Sequence, residues 1–275
     1  MLRVATAGVW RTYPSLTNHF IATTGLRQQY RSIARKSPIA TAAMGTNADL
    51  GAVAVEHTEK MPWADSPMQG VWRKRVFHTG SPEAGRVTSV VKYGPGSSFR
   101  SHPHPEGEEI FVLEGIFTDV NGDHKAGTLL LNPEGFEHAP SSADGCEILV
   151  RLRQYPGTDR PQVALNTAAL PWEDVGGKVH RKQLFRSDSC ADWIELQRWE
   201  AGAEGVKLTA AQGLELFVIS GSCESVDGAV KLGRGSWMRL PAGQSQTMRC
   251  AEECTVYVKG DALPLAAPLS TPQQM

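Results

Sequence analysis

Three histidines and one glutamate in the first half of this 275-residue chain have spacings that favour metal binding. His102 and His104 form an HxH pair, Glu108 follows four residues later, and His138 comes three residues after the glycine of a Pro-x-Gly turn. Side chains two residues apart on a strand share a face, so His102 and His104 point the same way. Three imidazoles and a carboxylate that converge in an apolar interior suit a divalent cation, which offsets the cost of burying the carboxylate.

An isolated HxH pair is usually two surface histidines in a loop, so the surrounding residues decide the interpretation. Nine positions agree in two blocks: Gly96-x5-His102-x-His104-x3-Glu108-x6-Gly115 and Gly127-x5-Pro133-x-Gly135-x2-His138. The four glycines and the proline supply turns between short strands, which favours the metal site over the surface pair. The other histidines lack such surroundings and are interpreted as surface or structural: His19, His57, His78, His124 and His180.

Short β-strands must position these residues. Four β-branched or aromatic runs bounded by turn residues predict strands: Arg86–Tyr93, Glu108–Glu114, Gly127–Leu131 and Cys146–Leu152. The dipeptide Asn121-Gly122 predicts a hairpin turn. A sustained 3.6-residue period is missing between residues 51 and 263, so we expect an all-β fold.

The pattern of strands and turns occurs twice. Glu109–Gly115 (EIFVLEG) recurs as Glu215–Gly221 (ELFVISG), and three further motifs recur in the same order at nearly the same offset. Ordered matches of this kind indicate two copies of one β-unit of about 105 residues, joined near residues 155–161. We therefore expect an N-terminal extension, a metal-binding unit, a second unit and a flexible tail: residues 1–50, 51–158, 159–263 and 264–275.

Composition narrows the function classes. The chain has 28 basic and 29 acidic residues, and this balance argues against a nucleic-acid-binding protein. We expect no membrane span, because no run approaches the roughly 20 apolar residues that one needs. Five scattered cysteines indicate buried thiols in a reducing compartment rather than a disulfide scaffold or a zinc site.

The first 48 residues carry six basic residues and no acidic one. This is the composition of an organelle-targeting peptide, although a disordered leader before a start at Met44 explains it equally well. We therefore expect a cytoplasmic protein, or a mitochondrial one if residues 1–43 are a transit peptide.

The two blocks of residues resemble the two motifs of the cupin superfamily. The segment His102–Gly115 (HPHPEGEEIFVLEG) resembles more narrowly the ChrR-type cupins, named for an anti-sigma factor whose C-terminal cupin binds a metal. The resemblance covers about residues 52–263, with Ser142 where cupins usually have asparagine. It implies two tandem jelly-roll, double-stranded β-helix barrels. It also implies that the first barrel holds one divalent ion, with Fe(II) expected first and Mn, Zn or Ni as alternatives, on four ligands: His102, His104, Glu108 and His138.

The second copy departs from this pattern. Its turn residues persist, whereas the positions of the four ligands hold residues that do not bind metals: Leu208, Ala210, Leu214 and Gln246. We expect a degenerate barrel that packs on the first or shapes its pocket. The anti-sigma factor also has an N-terminal His-x3-Cys-x2-Cys zinc element, and this chain has no cysteine before Cys146, which argues against an anti-sigma function.

Cupins with similar ligands include dioxygenases that cleave C–C bonds of enolisable compounds. The resemblance therefore implies a non-heme metal-dependent dioxygenase that uses O2 and a small diketone-like or phenolic ketone substrate. A non-catalytic metal-dependent ligand sensor or stress-response module is the main alternative, and a metal-dependent isomerase or lyase is a further one.

We expect Glu108 and Arg100 to take part in catalysis. Strand alternation puts Arg100 on the face of His102, where its guanidinium could meet an anionic oxygen of the substrate. The sequence is equally compatible with a solvated Arg100 at the outer end of the strand. Ile110 and Val112 on the Glu108 face, with Phe136 at the mouth, would make the cavity apolar. Unpaired edge strands make a homodimer a further expectation.

Overall fold

The computed structural model describes residues 45–81 and 85–262, and these residues form β-strands and two short 3-10 helices, without an α-helix. The expectation of an all-β fold is confirmed. No helix within the described ranges is long and apolar enough to cross a membrane. The expected transit peptide, His19 and the tail 264–275 lie outside the described residues.

The first sequence copy contains twelve strands and one 3-10 helix. They are β1 (Ala54–His57), η1 (Thr58–Lys60), β2 (Ala64–Asp65), β3 (Val71–Thr79), β4 (Arg86–Tyr93), β5 (Ser97–Ser98), β6 (His102–Pro103), β7 (Glu108–Asp119), β8 (Gly122–Lys125), β9 (Thr128–Asn132), β10 (Glu137–His138), β11 (Ser141–Ser142) and β12 (Cys146–Leu152). The four strands predicted from sequence are all present, as β4, β7, β9 and β12.

The second copy repeats this order with fewer breaks. It contains β13 (Val163–Asn166), η2 (Thr167–Ala169), β14 (Glu173–Gly176), β15 (Val179–Ser187), β16 (Cys190–Trp199), β17 (Ala203–Thr209), β18 (Leu214–Ser220), β19 (Ser222–Ser225), β20 (Lys231–Gly233), β21 (Ser236–Leu240), β22 (Ser245–Cys250) and β23 (Cys254–Gly260).

Each unit has one large sheet and a smaller group of paired strands. The large sheet of the first unit runs β13-β9-β7-β12-β4-β3-β2, with β5, β8 and β11 attached beside β7, and β6 pairs with β10. The second unit has the sheets β1-β21-β18-β23-β16-β15-β14 and β17-β22-β19-β20. Two tandem jelly-roll units are present, as expected. Their hydrogen-bonded sheets are open at the edges, so the units are not closed barrels.

The two units exchange their first strands. Strand β1 pairs with β21 in the second unit, and β13 pairs with β9 in the first. After each exchanged strand, a threonine of the 3-10 helix donates its hydroxyl to a backbone carbonyl of the partner unit, from Thr58 to Gly235 and from Thr167 to Gly127, both at 2.7 Å. The two units therefore share backbone hydrogen bonds as well as an apolar interface.

Three apolar cores hold the described residues together. One lies inside each unit, and the third lies between the units and includes Phe111, Phe217 and Trp237. The core inside the second unit has 18 buried residues and the core inside the first has nine, so the first unit keeps room for a cavity. Three of the degenerate ligand positions belong to the second core: Leu208, Ala210 and Leu214.

A buried set of charges also joins the two units. The Lys259 ammonium contacts the Glu109 carboxylate and lies 3.2 Å from Asp192 Oδ2. An Arg151 guanidinium N–H donates to Glu215 Oε2 at 2.7 Å. Arg151 and Lys259 occupy equivalent positions of β12 and β23, as do Glu109 and Glu215 of β7 and β18. In the two buried ion pairs that cross between the units, Lys259–Glu109 and Arg151–Glu215, each unit thus supplies one cation and one carboxylate.

Candidate metal centre

The two-residue ladder between β6 and β10 brings two of the histidines together. His102 and His138 are directly opposite in this antiparallel pair, and their ring centroids are 5.6 Å apart. His104 follows β6, and its backbone N–H donates to the Phe136 carbonyl at 2.9 Å. The His104 carbonyl accepts from Gly135 N–H at 3.1 Å. The Pro-x-Gly turn thus holds the third histidine against the other two.

A tight turn at Gly107 then brings the chain back beside the histidines. Gly107 has a φ of +69°, and a Cβ atom there would lie 2.1 Å from the Tyr155 carbonyl oxygen, so this position requires glycine. Glu108 begins β7 directly after the turn. Its Oε2 atom lies 3.6 Å from His104 Nε2 and 3.4 Å from His138 Nε2. The four predicted ligands therefore lie at one end of the first unit.

The nitrogen atoms are spaced as ligands of a single ion would be. The three imidazoles each offer one nitrogen, and these nitrogens lie within 4.8 Å of one another. Nε2 of His104 and Nε2 of His138 are 2.9 Å apart. Two nitrogens bound at right angles, each about 2.1 Å from one ion, would be separated by about 3 Å. The three histidines are therefore close enough to share one ion, and Glu108 lies beside two of them.

Burial sets the protonation of these groups. Burial lowers the pKa of His104 to about 3, and His138 and His102 act in the same direction. The His104 imidazole is therefore neutral at pH 7 and has a lone pair for a metal. Burial raises the pKa of Glu108, while His138 and a hydrogen bond from Asn132 oppose the increase. A divalent cation would favour the ionised carboxylate, so the donor set fits a metal.

Oxygen acceptors near the Nδ1 atoms orient two of the imidazoles. Nδ1 of His102 lies 2.8 Å from the Arg100 carbonyl oxygen, and Nδ1 of His138 lies 3.4 Å from Asp119 Oδ2. Acceptors at Nδ1 favour the tautomer whose Nε2 keeps its lone pair. Asp119 Oδ1 in turn lies 2.8 Å from Nε2 of His124, which is buried and structural, as expected. The sequence analysis missed Asp119, because the pairing of β7 with β8 brings it behind the site.

His102, His104 and Glu108 line a cavity of about 300 Å³ inside the first unit. Its walls are partly apolar, with Ile148, Val150 and Phe117 among the lining residues. Charged residues also line it: Arg73, Arg75, Arg153 and Glu108. The wall is therefore less apolar and more basic than the sequence analysis predicted.

The position expected for Arg100 is wrong. Its side chain is exposed and does not line the cavity, and only its carbonyl contacts His102. Arg100 lies in the link before β6, where the alternation of a regular strand does not apply. Phe136 also does not line the cavity, and its ring packs 5.3 Å from that of His138. Ile110 and Val112 were also expected to line the cavity, but they are buried in the first unit's core and do not line it.

Comparisons with solved structures find the same fold. A candidate dioxygenase from Nostoc punctiforme has a TM-score of 0.63 at 15% identity, covering 81% of this chain and 88% of that chain. A candidate glyoxylate-induced protein from Pseudomonas aeruginosa has a TM-score of 0.62 at 16% identity, covering 84% and 96%. A variant of the oxalate decarboxylase of Bacillus subtilis has a TM-score of 0.54 at 14% identity, covering 75% and 76%. At these identities the likeness concerns the fold.

A comparison with curated proteins gives no match. The family model of the ChrR cupin-like domain matches residues 52–156 and again residues 160–264. These two ranges span most of the chain and confirm the resemblance derived from its motifs. The chain therefore belongs to the ChrR cupin-like domain family, as a tandem pair of cupin units whose first member has a three-histidine cluster able to bind a metal.

Proposed function

We propose that this protein is a metal-dependent dioxygenase that cleaves a C–C bond of a small enolisable substrate, such as a diketone or a phenolic ketone. The observation that carries the proposal is the three-histidine cluster, with Glu108 beside it, at the wall of a cavity of about 300 Å³. A cavity of that size accommodates a small organic molecule. The fold likeness to a candidate dioxygenase adds support.

His102, His104 and His138 would hold the ion, and Glu108 would complete the ligand set. Imidazole accepts several divalent metals, and we propose Fe(II), with Mn, Zn or Ni as alternatives. A bound metal supplies Lewis acidity toward the enol and a place for O2.

The residues around the centre bind and orient the substrate. Phe99 and Phe117 line the cavity and exclude water from the reacting carbon atoms. Glu108 lies beside His104 and His138 and lines the cavity, where it can accept the proton lost on enolisation. For a 1,3-diketone the atoms balance with one O2. One C–C bond breaks, and the two oxygen atoms end in a carboxylic acid and a 2-oxoaldehyde.

Oxygen uptake tests the proposal. The full chain loaded anaerobically with Fe(II) should consume O2 when pentane-2,4-dione or a related diketone or phenolic ketone is added. The variant His104→Ala should lose this uptake, whereas Gln246→Ala, at the position in the second unit that matches His138, should retain it. Metal-loaded protein that consumes no O2 with any member of the series would reject the dioxygenase.

A metal-dependent ligand sensor or stress-response module is the second candidate. The match to a family named for ChrR favours it. A sensor would bind its ligand at the loaded centre without consuming O2. The same oxygen-electrode experiment, combined with calorimetric binding, separates the two functions.

A further inference from the structure

We propose that the substrate is a phenolic ketone, and that the hydroxyl group of Tyr93 binds its phenolic oxygen in the cavity beside the histidines. This inference rests on the proposed function, because it selects one of its two substrate classes. Arg100, which was expected to contact the substrate, lies outside the cavity, whereas Tyr93 lines it together with His102 and Glu108.

Tyr93 belongs to the face of β4 that forms one wall of the cavity. Side chains two residues apart on a strand share a face. Four residues of β4 with this spacing line the cavity: Val87, Ser89, Val91 and Tyr93. Tyr93 is only 5% exposed, so its phenol ring lies inside the protein.

Two phenylalanines connect the Tyr93 ring to the histidines. The centroid of the Phe99 ring is 5.7 Å from that of Tyr93 and 5.7 Å from that of His102. The centroid of the Phe117 ring is 5.8 Å from that of Tyr93 and 6.2 Å from that of His138. Tyr93 is therefore one ring contact away from two of the candidate metal ligands.

These ring contacts shorten a distance that the sheet alone would leave long. The strand registers align Glu108 through β12 with Val87, and Tyr93 lies six residues further along β4. Phe99 follows Tyr93 after a turn and lies in the link to β6, so this part of the chain runs back from Tyr93 toward His102.

The electrostatic surroundings of Tyr93 agree with this position. Burial raises the pKa of Tyr93 well above its usual range, and the negative charge of Glu108 acts in the same direction. A charge has such an effect only at short range, so Glu108 and Tyr93 face the same part of the cavity. The phenol is neutral at pH 7 and keeps its O–H as a hydrogen-bond donor.

Two hydroxyl groups on this face of β4 are unpaired. The Tyr93 hydroxyl has no hydrogen-bond partner within residues 45–81 and 85–262. The Ser89 hydroxyl is also buried and lacks a partner in the same ranges. Buried hydroxyl groups usually find a partner, because an unmade hydrogen bond costs free energy. A ligand in the cavity would supply the missing partner.

The second unit pairs the equivalent positions within the protein. Strand registers place Trp199 at the position of Tyr93 and Glu195 at that of Ser89. Gln197 lies between them and bonds to both. Its Oε1 atom accepts from the Trp199 indole N–H at 3.1 Å, and its Nε2 atom donates to Glu195 Oε2 at 3.0 Å.

One substitution accounts for this difference between the units. Val91 occupies the position of Gln197 in the first unit, and it lines the cavity. A valine side chain makes no hydrogen bonds, so Ser89 and Tyr93 stay unpaired in the unit that has the histidines. The unit without histidines has no such unpaired groups at these positions. The hydroxyl groups of the first unit therefore face a ligand site.

A phenolic ketone fits this wall. Tyr93, Phe99 and Phe117 give the cavity three aromatic rings, which pack favourably against a planar ring of the substrate. A phenol and the Tyr93 hydroxyl can each donate and accept, so they pair without burying a charge. The ketone oxygens of the same molecule would face the histidines. A purely aliphatic diketone would leave the Tyr93 hydroxyl unpaired.

Ligands that differ by one hydroxyl group test the inference. Calorimetric binding to the anaerobic Fe(II)-loaded full chain compares 1-phenylbutane-1,3-dione with its 3-hydroxyphenyl and 4-hydroxyphenyl analogues. At least one analogue should bind about fivefold to tenfold tighter than the phenyl compound. Tyr93→Phe, which removes only the phenolic oxygen, should bring this ratio within about twofold. Tyr155→Phe removes a phenolic oxygen outside the cavity and is the matched control, which should keep the preference.

Equal affinities for all three compounds in the unaltered protein would overturn the inference. A hydroxyl preference that persists in full in Tyr93→Phe would also overturn it, because another group would then bind the phenol. If Tyr93→Phe fails to fold, Val91→Gln, which introduces the residue that pairs these positions in the second unit, should likewise remove the preference. Hydroxyl preference without oxygen uptake would reject the dioxygenase alone, and oxygen uptake without hydroxyl preference would reject the role of Tyr93 alone.

Discussion

Behind the histidine cluster, one aspartate contacts two imidazoles. The Asp119 side chain is fully buried and lies between His138 and His124. Burial raises the pKa of Asp119, but hydrogen bonds from His138 and His124 outweigh it and hold the pKa at about 2. The carboxylate is therefore ionised at neutral pH and orients the imidazole of His138, a candidate metal ligand.

Replacing this aspartate should weaken metal binding without removing a ligand. We expect Asp119→Asn to lower metal affinity about tenfold to a hundredfold, because an amide holds the Nδ1–H of His138 less firmly. Competition with a chelator measures the change. Asp123→Asn, an exposed position on the same hairpin, is the control. An unchanged affinity in Asp119→Asn would contradict the role assigned to this residue.

At the residue scale, the sequence predicted the groups that lie close together along the chain or follow a turn. His102, His104 and Glu108 are within seven residues, and turn glycines mark their surroundings. Asp119 contacts His138 only because the strands pair as they do, and a linear pattern does not contain that pairing. Arg100 was misplaced because β6 is too short to extend the alternation back to it.

The elements that carry the site are short and depend on a tight turn between them. Strands β6 and β10 have only two residues each. The position of Glu108 beside the histidines therefore depends mainly on the turn at Gly107. The close approach of the Tyr155 carbonyl to Gly107 packs this turn against the segment that follows β12.

Substitution of this glycine should separate steric effects from backbone strain. Gly107→Ala should lower stability by about 3 kcal/mol, because it adds a clash with Tyr155 to a positive φ. Gly96→Ala is the matched control, since Gly96 has a φ of +74° but open space at the Cβ position. It should cost about 1 kcal/mol. Urea unfolding measures both variants, and equal losses would show that the contact with Tyr155 has no effect.

Strand bounds were predictable where turn residues bracket an apolar run. Arg86–Tyr93 and Cys146–Leu152 are found with the predicted ends. The hairpin predicted at Asn121-Gly122 is present one residue earlier, because Gly122 pairs with Asp119 and leaves Val120 and Asn121 in the turn. The exchange of β1 and β13 was not predictable, since a sequence repeat is the same whether a strand pairs within its own unit or with the other.

On the scale of the whole molecule, buried charges connect the two units. Burial raises the pKa of Glu109, but the positive charges of Lys259 and Arg151 outweigh it and hold the pKa below its usual range. A carboxyl group whose folded pKa is lowered stabilises the protein above its unfolded pKa, about 4.3. That contribution is lost as the pH falls from there through the lower folded value.

Glu109→Gln should therefore destabilise the protein most at neutral pH. We expect a loss of about 3–5 kcal/mol at pH 7, because Lys259 and Arg151 remain buried without this carboxylate. The difference from the unaltered protein should shrink as the pH falls below about 4. Glu147→Gln, which breaks a more exposed ion pair with Lys92, is the control and should cost less than about 1 kcal/mol. Urea unfolding across this pH range measures both, and a loss independent of pH would contradict the assignment.

The most direct test of this account is the metal content of the full chain purified without added metal. Elemental analysis should find about one equivalent of a divalent metal per chain. His104→Ala and His138→Ala should each lose most of it, and Gln246→Ala should keep it. A metal-free protein that also fails to bind added Fe(II), Mn(II), Ni(II) or Zn(II), or retention of the metal by both histidine variants, would contradict the assignment of the centre to the first unit.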